Sequence, residues 1–345
     1  MPADDIFISG VGVYRPPVVS IADAVAEGSE AAVRAESAGL LGVHVAGDTP
    51  APEMALHAAR EALARAGQPA SELDLQLYAD SWHQGPDGWL PQSYLQRHLG
   101  GDCLAVEVNV GCNGMFAALE LAAAHLRAGA EHGSALVVTA DNFGTPLLDR
   151  WNSGVGYVPG DGATALVLTR RPSFARVLAA RTVTVAAAER VHRGDEPMFP
   201  PSVTVGRPLD FGARLLTFRE SLRGSPEGAA PLFEVQKQTT EVVRRCLADA
   251  GIEVDDVTRV AFNNFSQEMV EQRLMGPLGL PLSKSTWEFG RGIGHGTCDQ
   301  VMSLDRLLTA GELGPGDHLL MMGVAPGITL SAAVVEIIDA PSWAG

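Results

Sequence analysis

Residues 104–127, LAVEVNVGCNGMFAALELAAAHLR, change from a strand pattern to a helix pattern at one turn. Valines alternate with other residues before the turn, whereas the part after it consists of strong helix formers with almost no charge. The Gly-Cys-Asn-Gly turn therefore places Cys112 at the start of a buried helix. Unpaired N–H groups and the helix dipole favour an anion there, so the stretch predicts a nucleophilic thiolate. A buried cysteine that only fills the core is the alternative.

The composition narrows the class of protein. The chain has 345 residues, of which 46% are hydrophobic and 19% charged, and its formal net charge is −16. Nucleic-acid binding needs a basic face, so this balance argues against a nucleic-acid partner. No apolar run reaches the length of a membrane span and no cleavable leader is evident, so we expect a cytoplasmic protein without a membrane partner. The four cysteines are too few for a disulfide scaffold and too far apart for paired metal ligands.

The chain contains an internal repeat of about 180 residues, a feature that sets the fold before any local motif does. The segment LARAG at 63–67 matches LADAG at 247–251, and each precedes an acidic linker and a strand. Cys112 and His295 each open a helix at corresponding places. The repeat predicts two α/β halves, 1–172 and 173–345, with two sheets between layers of helices. A pseudo-twofold axis would then place Cys112 and His295 opposite each other.

Three motifs together resemble one family. VNVGCNGMFAALELA, the strand GDGATALVL at 160–168 and the closing MGVAPGITLSAAVV resemble the β-ketoacyl-acyl carrier protein synthase III family of the thiolase superfamily. The resemblance implies a thiolase fold, a duplicated αβαβα layered sandwich with pseudo-twofold symmetry, and a homodimer. It also implies that Cys112 is acylated from a thioester, with the N–H groups of Cys112 and Gly327 forming the oxyanion hole.

The resemblance also implies where the donor binds. The acyl group would arrive on the phosphopantetheine of an acyl carrier protein or on coenzyme A, and no other cofactor is implied. Arg150 and Trp151 fall where the family has an arginine that contacts the nucleotide part of coenzyme A. Arginine offers a fork for phosphate and tryptophan a stacking face. A solvated loop pair is the alternative.

The second half departs from the family at its catalytic pair. Condensing members use a histidine and an asparagine to stabilise the enolate that decarboxylation leaves. Here the first motif reads FNNFS at 262–266 and lacks the histidine, while the second reads GHGTCD at 294–299 and has His295 where the asparagine belongs. The position of the carrier-docking arginine holds Glu268. Decarboxylative condensation is therefore not expected.

A histidine facing an acyl-cysteine suits transfer to an alcohol, which must lose a proton as it attacks. Asp299 follows His295 by four residues, so on a helix the carboxylate could orient the imidazole. Asp299 could instead only offset the helix dipole, and His295 could only cap the turn. The pattern is similar to synthase III-like acyltransferases of natural-product pathways, such as antibiotic and polyketide pathways. In that subgroup a further histidine lies in the second-half insert, and His192 is the candidate; a solvated loop residue is its alternative.

The sequence therefore predicts an acyltransferase that works without decarboxylation. Its acceptor would be a hydroxyl of a sugar or other natural-product intermediate, or the thiol of a second carrier. Asn264 is a further candidate for a hydrogen bond in the pocket. No metal is expected, because Cys112, Cys298 and His295 lack the closely spaced pairs of zinc sites. A condensing synthase with an altered pair and an inert partner subunit of a heterodimeric condensing enzyme remain as alternatives.

Overall fold

Strands and helices alternate along the chain in the computed structural model, which describes residues 2–129, 133–144, 148–226 and 228–343. The strands are β1 (Pro2–Tyr14), β2 (Val18–Ser20), β3 (Gly42–His44), β4 (Leu75–Asp80), β5 (Leu104–Asn109), β6 (Ser134–Asp141), β7 (Gly162–Thr169), β8 (Ala175–Thr184), β9 (Arg259–Ala261), β10 (His318–Ala325) and β11 (Thr329–Ile337). The helices are α1 (Ile21–Ala26), α2 (Glu30–Ser37), α3 (Ala51–Ala66), α4 (Pro91–Leu99), α5 (Gly114–Ala128), α6 (Phe211–Leu222), α7 (Ala230–Ala250), α8 (Gln267–Val270), α9 (Gly276–Leu278), α10 (Trp287–Gly290) and α11 (Asp299–Thr309).

The order of the strands shows the duplication. The main sheet runs β5-β4-β6-β7-β1-β8-β11-β10-β9, and β2 and β3 form a small separate pair. Read from each edge toward the middle, β4-β6-β7-β1 and β9-β10-β11-β8 repeat the same parallel and antiparallel pairings. The two series meet at the antiparallel pair β1 and β8. This arrangement confirms the thiolase-type fold with pseudo-twofold symmetry.

The two sheets, which the sequence predicts as separate, are joined in the structure. Strand β1 is 13 residues long, and it pairs with β7 along its later part and with β8 along its earlier part. The two sheets are therefore continuous at this edge. The counterpart of β5 in the second half is reduced to an isolated bridge between Val260 and Ser285. The predicted boundary at 172/173 lies in the segment between β7 and β8 and stays a prediction.

Five layers follow from the way the helices pack. Apolar residues of α5 and α11 share one buried cluster with inward-facing residues of strands from both halves. The outer faces of the strands are covered by α3 in the first half and by α7 in the second. Because each sheet is buried on both faces, its strands are almost continuously apolar, as in SALVVTAD of β6. The central helix α5 begins two residues after Cys112, and α11 begins at Asp299, four residues after His295.

The repeated LARAG and LADAG segments end the outer helix of each half. Helices α3 and α7 end at Gly67 and Gly251, which adopt left-handed backbone conformations with φ of 63° and 72°. No helix among the described residues is long and apolar enough to cross a bilayer.

Candidate active site

The turn that carries Cys112 is held by its two neighbours. Residues Gly111–Asn113 form a single 3₁₀ turn between β5 and α5. Gly111 has a φ of 54°, and a Cβ there would lie 2.6 Å from the Cδ of Pro326, so only glycine fits. The Nδ2 of Asn113 donates to the carbonyls of Gly323 and Thr329 at 3.3 and 2.9 Å. The nucleophile turn is therefore fastened to the β10–β11 hairpin of the other half.

The same hairpin carries the predicted second oxyanion donor. Gly327 lies in the turn Pro326–Ile328 that joins β10 to β11, with a φ of 80°. Because Pro326 packs against Gly111, the turns of Gly327 and Cys112 are neighbours. The oxyanion role of their N–H groups stays a prediction.

His295 is fixed by Asp299 on the second half. The Nδ1 of His295 lies 2.6 Å from the Oδ2 of Asp299, and both side chains are buried. Asp299 also accepts hydrogen bonds from the backbone N–H groups of Asn264 and Gly296, each at 2.9 Å. A carboxylate that only accepts requires a proton on Nδ1, so the Nε2 of His295 is left for other partners. The expected contact is present, but not through one face of a helix, because α11 begins at Asp299 and His295 lies in the loop before it.

Cys112 and His295 share one pocket. The cavity has a volume of about 290 Å³, and its walls include Ser81, Trp82 and Phe143 beside the two candidate catalytic residues. Burial disfavours the imidazolium form of His295, but the negative charges of Cys112 and Asp299 outweigh it and raise the pKa of His295 well above its ordinary value. An imidazolium beside the sulfur of a cysteine is the arrangement found at activated cysteine nucleophiles.

Aromatic rings enclose the imidazole. Tyr157 and Phe265 meet the ring of His295 edge-on, with centroids 5.2 and 4.8 Å away. Their apolar surfaces keep water away and strengthen the charge interactions inside the pocket. A larger open groove of about 450 Å³, lined by residues that include Trp89 and Tyr94, contains none of these groups.

The structure places His192 in the same pocket wall. Its ring meets Phe211 edge-on at 5.7 Å, and burial together with the charge of Arg214 lowers the pKa of His192 to about 4. The Nδ1 of His192 is buried without a hydrogen-bond partner among the described residues. A neutral imidazole with a free nitrogen can bond to a substrate, so the solvated-loop alternative does not fit this position. Its catalytic role stays a prediction.

The lowered pKa of His192 makes stability depend on pH. As the pH falls from about 6.5 toward 4, the unfolded chain takes up a proton before the folded one does, so folded stability is lost in that window. We expect the wild-type protein to lose about 2 kcal/mol more than a His192→Gln variant between pH 8 and pH 5. Denaturant unfolding at both pH values measures the difference. Equal losses in the two proteins would contradict it.

Three predicted substrate-binding residues do not line this pocket. Arg150 donates to both carboxylate oxygens of buried Asp161 at 3.0 and 2.9 Å and to the carbonyl of Pro159. Its fork is thus occupied inside the protein, and the predicted contact with a nucleotide finds no support. Trp151 packs partly buried against a small apolar cluster. Asn264 donates to the carbonyl of Gly294 at 2.8 Å, so it supports the His295 loop and does not face the cavity.

Ser81 and Asn113 also belong to the site, although neither was predicted from the sequence. Ser81 Oγ lies 3.9 Å from the sulfur of Cys112, and it belongs to an insert without a clear counterpart in the repeat. That lack of a counterpart was the signal that could have singled it out. Glu268, which the resemblance matches to the carrier-docking arginine of the family, is exposed on α8. No group of three or more metal-ligating side chains is placed to hold an ion in the described parts of the chain.

Family models, a relative of known sequence and solved structures all match this chain. The model of 3-oxoacyl-[acyl-carrier-protein] synthase III matches residues 106–185, and the model of its C-terminal part matches residues 247–337. A β-ketoacyl-[acyl-carrier-protein] synthase III of Rhizorhabdus wittichii is 28% identical, over 87% of this chain and 89% of the relative. The solved structure of ChlB3, an acyltransferase, is 58% identical with a TM-score of 0.93, over 98% of this chain and 99% of that chain.

The chain belongs to the synthase III family. More distant structures agree on the fold: the synthase III of Aquifex aeolicus superposes with a TM-score of 0.75 at 23% identity, over 96% of this chain and 99% of that chain. Within this synthase III-like chain, Cys112 is on the strand-turn-helix unit of the first matched region and His295 is in the second. Relatives of this kind are transferases or synthases, so this chain is an enzyme of that general type.

Proposed function

We propose that this synthase III-like enzyme moves an acyl group from a thioester to an acceptor through an acyl-cysteine at Cys112, without decarboxylation. The observation that carries the proposal is that His295, bonded to buried Asp299, lines the same pocket as Cys112. The 58% identity to ChlB3, an acyltransferase, supports the same reading. The acceptor is a hydroxyl of a sugar or other natural-product intermediate, or the thiol of a second carrier.

The first half-reaction uses the thiolate. The sulfur of Cys112 attacks the thioester carbonyl, and the tetrahedral oxyanion is held by the N–H groups of Cys112 and Gly327. The carbon–sulfur bond to the donor then breaks and the donor thiol leaves, taking up the proton that His295 holds. The donor is acyl carrier protein or coenzyme A, as used by the family.

The second half-reaction uses the imidazole. Neutral His295 accepts the proton of the acceptor hydroxyl through Nε2 while the oxygen attacks the acyl-cysteine. Asp299 stabilises the imidazolium that forms. The tetrahedral intermediate collapses and releases the ester and the Cys112 sulfur. No enolate arises, so no second enolate-stabilising residue is needed.

The edge of the sheet supports the predicted homodimer. Strand β5 pairs with β4 on one side only, and Leu104 at its start is 61% exposed. An exposed edge strand presents unpaired backbone groups that a second chain can bind. Light scattering in solution tests this part, and a monomeric mass would contradict it.

Acylation is tested by incubating the protein with a panel of acyl thioesters of coenzyme A and carrier protein. We expect at least one donor to add its complete acyl mass to the protein, seen in the intact mass spectrum. A malonyl donor should add the whole malonyl group. Carbon dioxide release with a β-keto product would instead favour a condensing synthase. An inert subunit would resist both acylation and alkylation by iodoacetamide.

Asp299 should matter for turnover more than for binding. In Asp299→Asn an amide replaces the carboxylate that accepts hydrogen bonds from His295 and from two backbone N–H groups. The amide no longer fixes the proton on Nδ1 of His295. We expect kcat to fall by about 10²-fold or more with little change in KM for the donor, because Asp299 does not line the pocket. Steady-state kinetics measure both values. A variant with the wild-type kcat would show that the carboxylate is not needed.

A further inference from the structure

A second buried carboxylate, Asp141, lies beside the pocket and takes no part in the mechanism above. It ends β6 and is 1% exposed. Its Oδ1 accepts the backbone N–H of Ser81 at 2.8 Å, and its Oδ2 accepts the hydroxyl of Ser81 at 3.1 Å. The Oδ2 also accepts the backbone N–H and the hydroxyl of Thr297, at 3.2 and 2.8 Å. Four donors thus meet on one side chain.

The two partners of Asp141 belong to opposite halves of the chain. Ser81 is in the first half, and its Oγ lies 3.9 Å from the sulfur of Cys112. Thr297 is in the second half, between His295 and Asp299 in the loop that leads into α11. Asp141 is therefore a direct polar bridge from the neighbour of the nucleophile to the loop of the base.

The four donors are all satisfied only if both side-chain oxygens at position 141 accept hydrogen bonds. Burial raises the pKa of Asp141, and the hydrogen bonds from Ser81 and Thr297 lower it without cancelling that rise. Burial and the charge of Asp141 also raise the pKa of neighbouring Asp80, to about 9. An amide in place of Asp141 would turn an N–H donor toward another donor, and buried polar groups left unpaired are unfavourable.

We propose that Asp141 is a positioning residue, which holds Ser81 and Thr297 so that the Cys112 sulfur and the His295 imidazole stay at reacting distance. Neither Asp141 nor Thr297 lines the cavity, so the effect passes through the residues they hold. The catalytic consequence rests on the proposed function. The geometric consequence, the spacing of Cys112 and His295, does not.

The decisive comparison is between two variants at one buried position. Thr297→Val keeps the shape of the side chain but removes the hydroxyl that Asp141 accepts, whereas Thr297→Ser keeps the hydroxyl. Small displacements of reacting groups cost up to about 10²-fold in rate. We expect kcat to fall by about 30-fold in Thr297→Val with KM for the donor unchanged, and Thr297→Ser to recover most of the loss. Asp141→Asn should lose about 10²-fold.

Alkylation gives a readout that needs no substrate. Iodoacetamide at pH 7, followed by peptide mapping, measures the rate at Cys112 with Cys103 as internal reference. The rate at Cys112 should fall about tenfold in Thr297→Val and Asp141→Asn, because the imidazole no longer supports the thiolate, and recover in Thr297→Ser. If no thioester acylates the wild-type protein, the proposed function fails while this measurement still tests Asp141.

Several results would overturn the proposal. One is a folded Thr297→Val protein with wild-type kcat and alkylation rate. Another is an equal loss in Thr297→Ser and Thr297→Val, because the hydroxyl would then not be the cause. Thermal unfolding of each variant verifies folding. Should Asp141→Asn fail to fold, the two Thr297 variants decide the question.

Discussion

Replacing Cys112 by alanine should abolish acyl transfer, with activity reduced by at least about 10⁴-fold. Among the described residues that line the pocket, Cys112 is the only one that can form a thioester with the acyl group of the donor, so without it no acyl-cysteine arises. The intact mass of Cys112→Ala should stay unchanged with every thioester that acylates the wild-type protein. Retained acylation in this variant would place the nucleophile elsewhere.

The other cysteines provide the controls for this experiment. Burial raises the pKa of Cys246 and of Cys298 to about 12, so both stay protonated at neutral pH. Burial also raises the pKa of half-buried Cys103, which lies outside the pocket. We expect Cys103→Ala to acylate and turn over as the wild-type protein does, which separates loss of the nucleophile from loss of any thiol.

Replacing His295 by asparagine should separate the two half-reactions. Asparagine remains polar but cannot take a proton from the acceptor, so transfer should slow by about 10³-fold. Acylation should be slower than in the wild-type protein yet still reach completion, and the acyl-enzyme should accumulate. Rapid-quench mass spectrometry follows acylation and discharge separately.

The matched control is His98→Asn on helix α4. His98 is exposed, and its Nδ1 lies 2.8 Å from the carbonyl of Tyr94 in the preceding turn. We expect wild-type rates for both half-reactions in this variant. If the acyl-enzyme is discharged at an equal rate in His295→Asn and His98→Asn, His295 does not act as the base.

The parts of the account that sequence could supply are those repeated or adjacent along the chain. The matching segments before Gly67 and Gly251 predicted the duplication, and the spacing of His295 and Asp299 predicted their contact. Both relations are local or periodic, so they are visible in the order of residues. The shared pocket of Cys112 and His295 followed from the same symmetry.

What sequence could not supply are the contacts between distant segments. Asp141 bonds to Thr297 across 156 residues, and Asn113 bonds to Thr329 across 216. Nothing in the local pattern distinguishes these side chains from ordinary strand-end and turn residues. Arg150 is a similar case, because the sequence could not show that its forked guanidinium, expected to meet a phosphate, is bonded to buried Asp161. Only tertiary structure decides which carboxylate or carbonyl a guanidinium reaches.

The pairing of β1 with β8 likewise could not be predicted from the sequence. Strands β1 and β8 both mix apolar with polar residues, so their sequences are compatible with separate sheets or with a joined one. The observed register pairs Phe7 with Arg176, two residues that are 169 positions apart in the chain.

The most direct test of the account begins with isolated enzyme that carries an acyl group on Cys112. The acyl-enzyme is mixed in parallel with hydroxyl acceptors, with a carrier thiol and with a malonyl thioester, and both protein and product masses are followed. We predict that a hydroxyl or thiol acceptor removes the acyl group and gains its complete mass, with no release of carbon dioxide. Discharge by the malonyl thioester alone, with carbon dioxide and a β-keto product, would contradict the account.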